Sequence, residues 1–193
     1  MRSFALISIS ALVLILSGDF AQARSGAPRV ELDTSMGKIV LELNAKKAPG
    51  TVKNFLQYVK DKHYDGTIFH RIIDNFMVQG GGFTADYKKK AGRDPIKNEA
   101  DNGLKNLKGT IAMARTPNPH SGSNQFFINV NDNTFLNHKE KSMRGWGYCV
   151  FGKVVKGLDI VMKMGKVRTG RGGPFPKDVP QETVLIKKAR LLK

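Results

Sequence analysis

The sequence is poor in residues that form disulfides or bind metals, with one cysteine and four histidines among 193 residues. A single thiol cannot form an intramolecular disulfide, so core packing must stabilise the fold. Cys149 lies in the run 148–151, which is typical of a strand, and a buried, unreactive thiol is expected there rather than a nucleophile. The histidines are scattered without the spacing of metal ligands. We therefore expect neither a metal nor a cofactor.

Long hydrophobic runs are also scarce, and the only one covers residues 4–16. Arg2 precedes it and the small-x-small signal Ala21-Gln22-Ala23 follows it, as in a secretory signal peptide. The run is too short to span a bilayer comfortably, so a membrane anchor is the weaker interpretation. We expect residues 1–23 to be removed and residues 24–193 to form one soluble, exported domain, in the periplasm or secreted.

Acidic residues are few: 16 Asp and Glu stand against 32 Lys and Arg, a net charge of +16. The excess is uneven, because residues 139–193 hold 14 basic and 4 acidic residues. Such a surface favours anionic partners. The aromatic residues are not interleaved with the cations, as base stacking would require. We therefore expect a solvated cationic surface and no specific nucleic-acid partner.

Short alternating segments dominate the rest of the chain. Strands are predicted at 30–33, 38–43, 67–73, 76–80, 109–114, 124–130, 148–155 and 183–192, helices from Pro49 and near 158–166, and loops at 84–108 and 170–180. Many short strands with two helices and no βαβ rhythm predict an antiparallel barrel or sandwich.

Two segments combine apolar residues with polar groups that a buried strand would not carry. FHRIIDNFMVQGGGF (69–83) contains Arg71 and Gln79 and ends in three glycines. In SGSNQFFINV (121–130), Gln125 and Phe127 point to one face, and the alternate residues form a second apolar face. Each residue alone would be a routine surface charge, exposed amide or core ring. Together they indicate a groove for an extended peptide, although periodicity does not name a reaction.

These two segments, with GTIAMART (109–116), the pair 135–136 and VFGKV (150–154), resemble the cyclophilin-type peptidyl-prolyl cis–trans isomerases. The resemblance covers residues 30–192 and is closest to the exported bacterial branch, the periplasmic isomerase A type. It implies a mainly β fold, a closed eight-stranded antiparallel β-barrel capped by two α-helices. We also expect a monomer that binds proline-containing segments of unfolded or folding proteins.

The resemblance implies a role for each residue of one groove, beginning with Arg71 as the catalytic arginine. Four apolar residues would form the proline pocket: Phe76, Met77, Phe127 and Leu136. Gln79 and Gln125 would be the polar groups along the groove. The backbone at Ala114 and Arg115 would be the edge that receives the peptide. His70 would be a structural residue beside the site.

Several residues depart from the family pattern. Phe135 stands where many eukaryotic relatives have tryptophan, so we expect weak cyclosporin binding. Tyr148 aligns where those relatives have histidine. Arg115 replaces an asparagine, which is tolerable if mainly its backbone is used, and Asp74-Asn75 replaces Pro-Gly in a turn. The resemblance assigns no role to the loop 139–147.

Isomerisation fits these residue types. An X-Pro bond resists rotation, by about 18–20 kcal/mol, because the nitrogen lone pair is delocalised into the carbonyl. No bond breaks, so a donor aimed at the prolyl nitrogen is the main requirement, and Arg71 can supply it. The alternative is a non-catalytic module, or chaperone, that binds proline segments or polyanions.

Overall fold

The computed structural model describes residues 26–192, so the predicted signal peptide lies outside the described residues. The strands are β1 Arg29–Thr34, β2 Gly37–Leu43, β3 Thr67–Ile68, β4 Arg71–Ile73, β5 Met77–Gly80, β6 Thr110–Met113, β7 Phe126–Asn129, β8 Val150–Lys156, β9 Thr169–Gly172, β10 Phe175–Pro180 and β11 Leu185–Leu192. The helices are α1 Pro49–Lys60 and α2 Leu158–Met164, with short 3₁₀ turns at Ala100–Asn102 and Thr134–Leu136. Within 26–192, no helix is long and apolar enough to cross a membrane.

Nine strands form one antiparallel sheet in the order β3-β11-β1-β2-β8-β6-β7-β5-β4. The two end strands, β3 and β4, are consecutive in the chain and are separated only by Phe69 and His70. The sheet therefore curls until its two edges meet in the segment 67–73. Counted as one strand, that segment gives the predicted eight. The predicted mainly β fold with two helices is confirmed. Its main sheet is curled, and the segment 67–73 contributes a strand to each of its two edges.

Helix α1 forms because its apolar residues recur on one side. Val52, Phe55 and Val59 are buried in the main core, at the spacing of one face of an amphipathic helix. Pro49 occupies the first turn, where a missing N–H costs nothing. The helix has no side-chain cap of its own; Glu99 accepts hydrogen bonds from the backbone N–H groups of Gly50 (3.0 Å) and Thr51 (2.8 Å). The long loop 84–108 thus fixes the helix.

Strand β7 has two apolar faces, as its alternation predicts. Phe126 and Ile128 lie fully buried in the main core, which the curled sheet encloses. Phe127 belongs to a second buried cluster with Met77, Ala112 and Val150. The outer face of the sheet therefore carries an apolar cluster of its own.

The segment 170–180, predicted as a loop, instead forms the hairpin β9–β10. Glycines and three prolines argue against a strand in a central sheet position. This hairpin is a separate two-stranded sheet, so its prolines interrupt no central ladder. Phe175 packs against His70 and Phe83, and these contacts anchor the hairpin to the domain.

Candidate active site

The strand register places the predicted polar and apolar residues in one row. Arg71 on β4 pairs with Gln79 on β5, Gln79 pairs with Phe127 on β7, and Phe127 pairs with Ala112 on β6. Directly paired residues of an antiparallel sheet point to the same face. The row therefore runs across four strands on the outer face of the sheet.

An apolar wall lies beside this row. Met77 and Phe127 are buried, and partly buried apolar residues pack against their cluster: Ile73, Phe76, Leu104, Ala114, Leu136 and Tyr148. The structure thus brings together all four residues assigned to the proline pocket. Such a surface can hold an apolar ring while a neighbouring bond turns.

The two carboxamides also meet. The Gln79 Nε2 donates to Gln125 Oε1 at 3.0 Å, and the Ala114 N–H donates to the Gln125 carbonyl at 3.0 Å. A peptide at this edge would therefore use the Ala114 carbonyl or the Arg115 backbone. Gly82 fits this arrangement, because a Cβ on it would lie 2.5 Å from the Gln125 amide nitrogen.

Arg71 has a partner that sequence reasoning missed. Its Nε lies 3.5 Å from Oδ2 of Asp178, on β10. The Arg71 side chain is 43% exposed and that of Asp178 is 22% exposed. The only signal was that Asp178 is one of four acidic residues in the basic region 139–193.

His70 precedes Arg71 and is 3% exposed. Its ring packs between Phe83 and Phe175, at 4.6 and 5.5 Å between centroids. Burial, and then the charge of Arg71, lower the pKa of His70 to about 4, although a hydrogen bond with the Ile68 backbone opposes the shift. His70 is therefore neutral at pH 7, which agrees with a structural role rather than proton transfer.

Aromatic residues form the rim. Phe135 is 64% exposed and stacks on Phe76, with 5.6 Å between ring centroids. The Tyr148 ring meets Phe127 edge-on at 5.6 Å. The guanidinium of Arg115 lies 4.5 Å from the Tyr148 ring centroid, and its Nε donates to the Gly147 carbonyl at 2.9 Å. The Arg115 side chain thus supports the rim, in addition to any use of its backbone.

Covalent catalysis through the thiol is ruled out by its position. Cys149 is buried, and burial raises the pKa of its thiol to about 11. The site instead offers a cation, two amides and an apolar wall, a set suited to binding and polarising a peptide bond.

Two grooves lie elsewhere on the described part of the chain, so the presence of a groove alone does not locate the site. One, of about 640 Å³, lies between residues 26–28, 42–46 and 104–107. The other, of about 660 Å³, lies between α1 and β11 and carries Lys53, Lys60, Lys62 and Lys188 on its lining. Neither is lined by a predicted site residue.

Comparisons with known proteins agree with this geometry. Residues 29–191 match the family described as "Cyclophilin type peptidyl-prolyl cis-trans isomerase/CLD". The chain is 58% identical to the peptidyl-prolyl cis-trans isomerase cyp18 of Streptomyces antibioticus, over 84% of this chain and 98% of that protein. It is 56% identical to isomerase B of Escherichia coli (82% and 96% covered) and 52% identical to isomerase A of Dickeya dadantii (90% and 89% covered).

A crystal structure of a Cryptosporidium parvum cyclophilin-type isomerase, obtained in the presence of the dipeptide Ala-Pro, has the same fold. Its TM-score is 0.68 at 24% identity, with 86% of this chain and 99% of that chain covered. The family match and the high identities favour the enzyme over the non-catalytic module. The chain belongs to the cyclophilin-type peptidyl-prolyl cis–trans isomerases and is an enzyme of that class.

Proposed function

We propose that this isomerase accelerates X-Pro rotation in proteins that fold after export, through hydrogen bonding by Arg71 in an apolar groove. The observation that carries the proposal is the row Arg71, Gln79 and Phe127 on one outer face, beside buried Met77. The Arg71 guanidinium thus lies next to an apolar surface, so one bound peptide segment could contact both.

In the proposed mechanism, the proline ring rests on the wall formed by Met77 and Phe127. Because the Nε side of Arg71 faces Asp178, the terminal amino groups remain for the substrate. A hydrogen bond to the prolyl nitrogen localises its lone pair as the bond twists, so the C–N bond loses double-bond character. An acceleration of about 10⁵ requires a barrier lower by about 7 kcal/mol.

The substrate is a proline-containing segment in extended form. The Ala-Pro dipeptide present with the Cryptosporidium relative supports this chemistry. Gln79 and Gln125 would bind the peptide backbone, and the Ala114–Arg115 edge would receive it. Exchange spectroscopy on X-Pro peptides tests the proposal, since cis–trans exchange that persists unchanged without the Arg71 guanidinium would contradict it.

Export is supported by the segment 2–23, which has the basic start, apolar run and small-x-small site of a secretory signal peptide. We expect the protein recovered from the periplasm or medium of a bacterial expression host to begin at Arg24, as read by N-terminal sequencing. Ala23→Leu should block processing, because a small residue is required before the cleaved bond. Ala27→Leu, four residues further on, should be processed normally. A chain that begins at Met1 and stays in the cytoplasm would contradict export.

Cyclosporin is expected to bind weakly because Phe135 offers no indole donor. Phe135→Trp should tighten binding several-fold to about a hundred-fold, since one hydrogen bond in a partly buried site is equivalent to about 1–3 kcal/mol. Leu191→Trp, at an exposed position on β11, is the control for an added indole. Calorimetric titration measures both, and equal affinities of the wild type and Phe135→Trp would show that this residue is not the cause.

We also propose that the enzyme acts as a monomer and that its cationic surface mainly solvates it. The lining of the lysine-bearing groove between α1 and β11 has no residue in common with the candidate site. Polyanion binding there, weak and non-specific, would therefore leave turnover unchanged.

A further inference from the structure

We propose that Asp178 is a positioning residue that orients Arg71. It would hold the guanidinium through its Nε side, so that the two terminal amino groups point into the groove. This inference rests on the proposed role of Arg71.

The ion pair supplies an orientation that packing does not. The Arg71 side chain is 43% exposed, so burial alone leaves it several rotamers. Asp178 is more sheltered, at 22% exposure, and its Oδ2 lies 3.5 Å from Arg71 Nε. Within residues 26–192, no other carboxylate lies within 4.0 Å of that guanidinium. Asp178, the more sheltered side chain, thus restrains the more exposed Arg71.

A bulge aims Asp178 at Arg71. Phe175 pairs with Gly172 and Val179 with Gly170, so the three residues 176–178 of β10 stand opposite the single residue 171 of β9. Bulges of this kind redirect side chains and are frequent beside active sites. Asp178 also has a φ of +65°, a left-handed conformation that aspartate adopts more readily than most residues. Backbone strain of this kind tends to be retained where a side chain is needed in one place.

The hairpin is anchored to the residue that precedes Arg71. Phe175 packs on His70 at 5.5 Å and meets Phe83 edge-on at 5.1 Å. Gly173 lets the hairpin approach Tyr87, because a Cβ there would clash with the Tyr87 ring. Both partners of the ion pair are therefore tied to the same aromatic contact, and their separation is set by the fold.

Without Asp178, the Arg71 side chain would exchange among several rotamers, and its donors would be aligned with the prolyl nitrogen for only part of the time. Removing the carboxylate should therefore lower kcat by about 10-fold, because small errors in alignment are costly in catalysis. The apparent KM should change by less than about twofold, since the apolar wall that binds the ring is untouched.

Two substitutions separate the side chain from the backbone. Asp178→Asn keeps the shape and suits a positive φ, and Asp178→Gly removes the side chain where glycine takes this φ without strain. Asp61→Asn is the matched control, because Asp61 pairs with Arg93 away from the site. Thermal unfolding should be nearly unchanged in all three. kcat should fall in the two Asp178 variants only.

Proton–nitrogen NMR spectra of the Arg71 Nε–H group give a readout that a merely structural role would not alter. This signal, assigned by its loss in Arg71→Lys, should be resolved in the wild type and in Asp61→Asn. It should be averaged by motion or exchange in Asp178→Asn and Asp178→Gly. An unchanged Nε–H signal in both Asp178 variants would overturn the proposal, whatever the activity of Arg71 variants.

A double-mutant comparison tests whether Asp178 acts through Arg71. In an Arg71→Lys background, Asp178→Asn should lower kcat no further, because there is no guanidinium left to orient. A full further 10-fold loss would overturn the positioning role. If Arg71→Ala proved fully active, the proposed function would fail, and the NMR comparison would still decide the role of Asp178.

Discussion

Replacing Arg71 with alanine is expected to lower kcat/KM for an X-Pro peptide by about 10²–10³, because one preorganised transition-state donor commonly contributes that much. The fold should be retained, since the side chain is 43% exposed and takes no part in the core. Exchange spectroscopy or a coupled peptide assay measures the loss. Thermal unfolding of the same sample shows whether the variant is folded.

Two further variants sharpen this test. Arg71→Lys should restore little activity, because an ammonium has the charge but lacks the planar fork of N–H donors. Arg93→Ala removes another exposed arginine that pairs with an aspartate, outside the groove, and should leave the rate unchanged. Near-normal activity of a folded Arg71→Ala protein would refute the mechanism.

The sequence was enough to predict the two faces of β7. Residues 126 and 128 lie in the main core and Phe127 lies in the outer cluster, as a period of two requires. Arg71 and Gln79 were conspicuous because an apolar strand rarely contains such groups. Their chemical types pointed to a peptide groove without any knowledge of the register.

Register itself could not be predicted from local pattern. Ala112, which pairs with Phe127, is an ordinary small apolar residue in its own strand. Only the order of strands places it beneath the groove. The split of 67–73 into β3 and β4 has a similar origin. The Phe69 N–H donates to the Val184 carbonyl, so the chain leaves one strand partner here before it pairs with the next.

The β9–β10 hairpin was missed because its signals are those of a loop. Glycines and prolines normally mark turns, and nothing local shows that Phe175 packs against His70. The contact between Asp178 and Arg71 depends on that packing and on a bulge. The same limit applies to Glu99, which caps α1 from a distant loop. Contacts between remote segments require the tertiary structure.

His70 should make the protein sensitive to mild acid. Its pKa in the folded state is lowered to about 4 from 6.5, so between these values the unfolded chain binds a proton that the folded chain does not. The contribution of His70 to stability is therefore fully present above pH 6.5. It is lost as the pH falls from 6.5 to about 4, and no more is lost below. A shift of this size corresponds to about 3 kcal/mol in the free energy of unfolding.

Urea unfolding of the wild type and His70→Phe at several pH values measures this contribution. The phenyl ring keeps the packing between Phe83 and Phe175 but cannot be protonated. Any change in stability at neutral pH that comes from losing the imidazole adds no pH dependence, because a phenyl ring does not titrate. Between pH 6.5 and 4 the free energy of unfolding of the variant should fall by about 3 kcal/mol less than that of the wild type. Parallel curves for the two proteins would mean that His70 is protonated as easily in the folded state as in the unfolded chain, and that its burial is relieved by local opening.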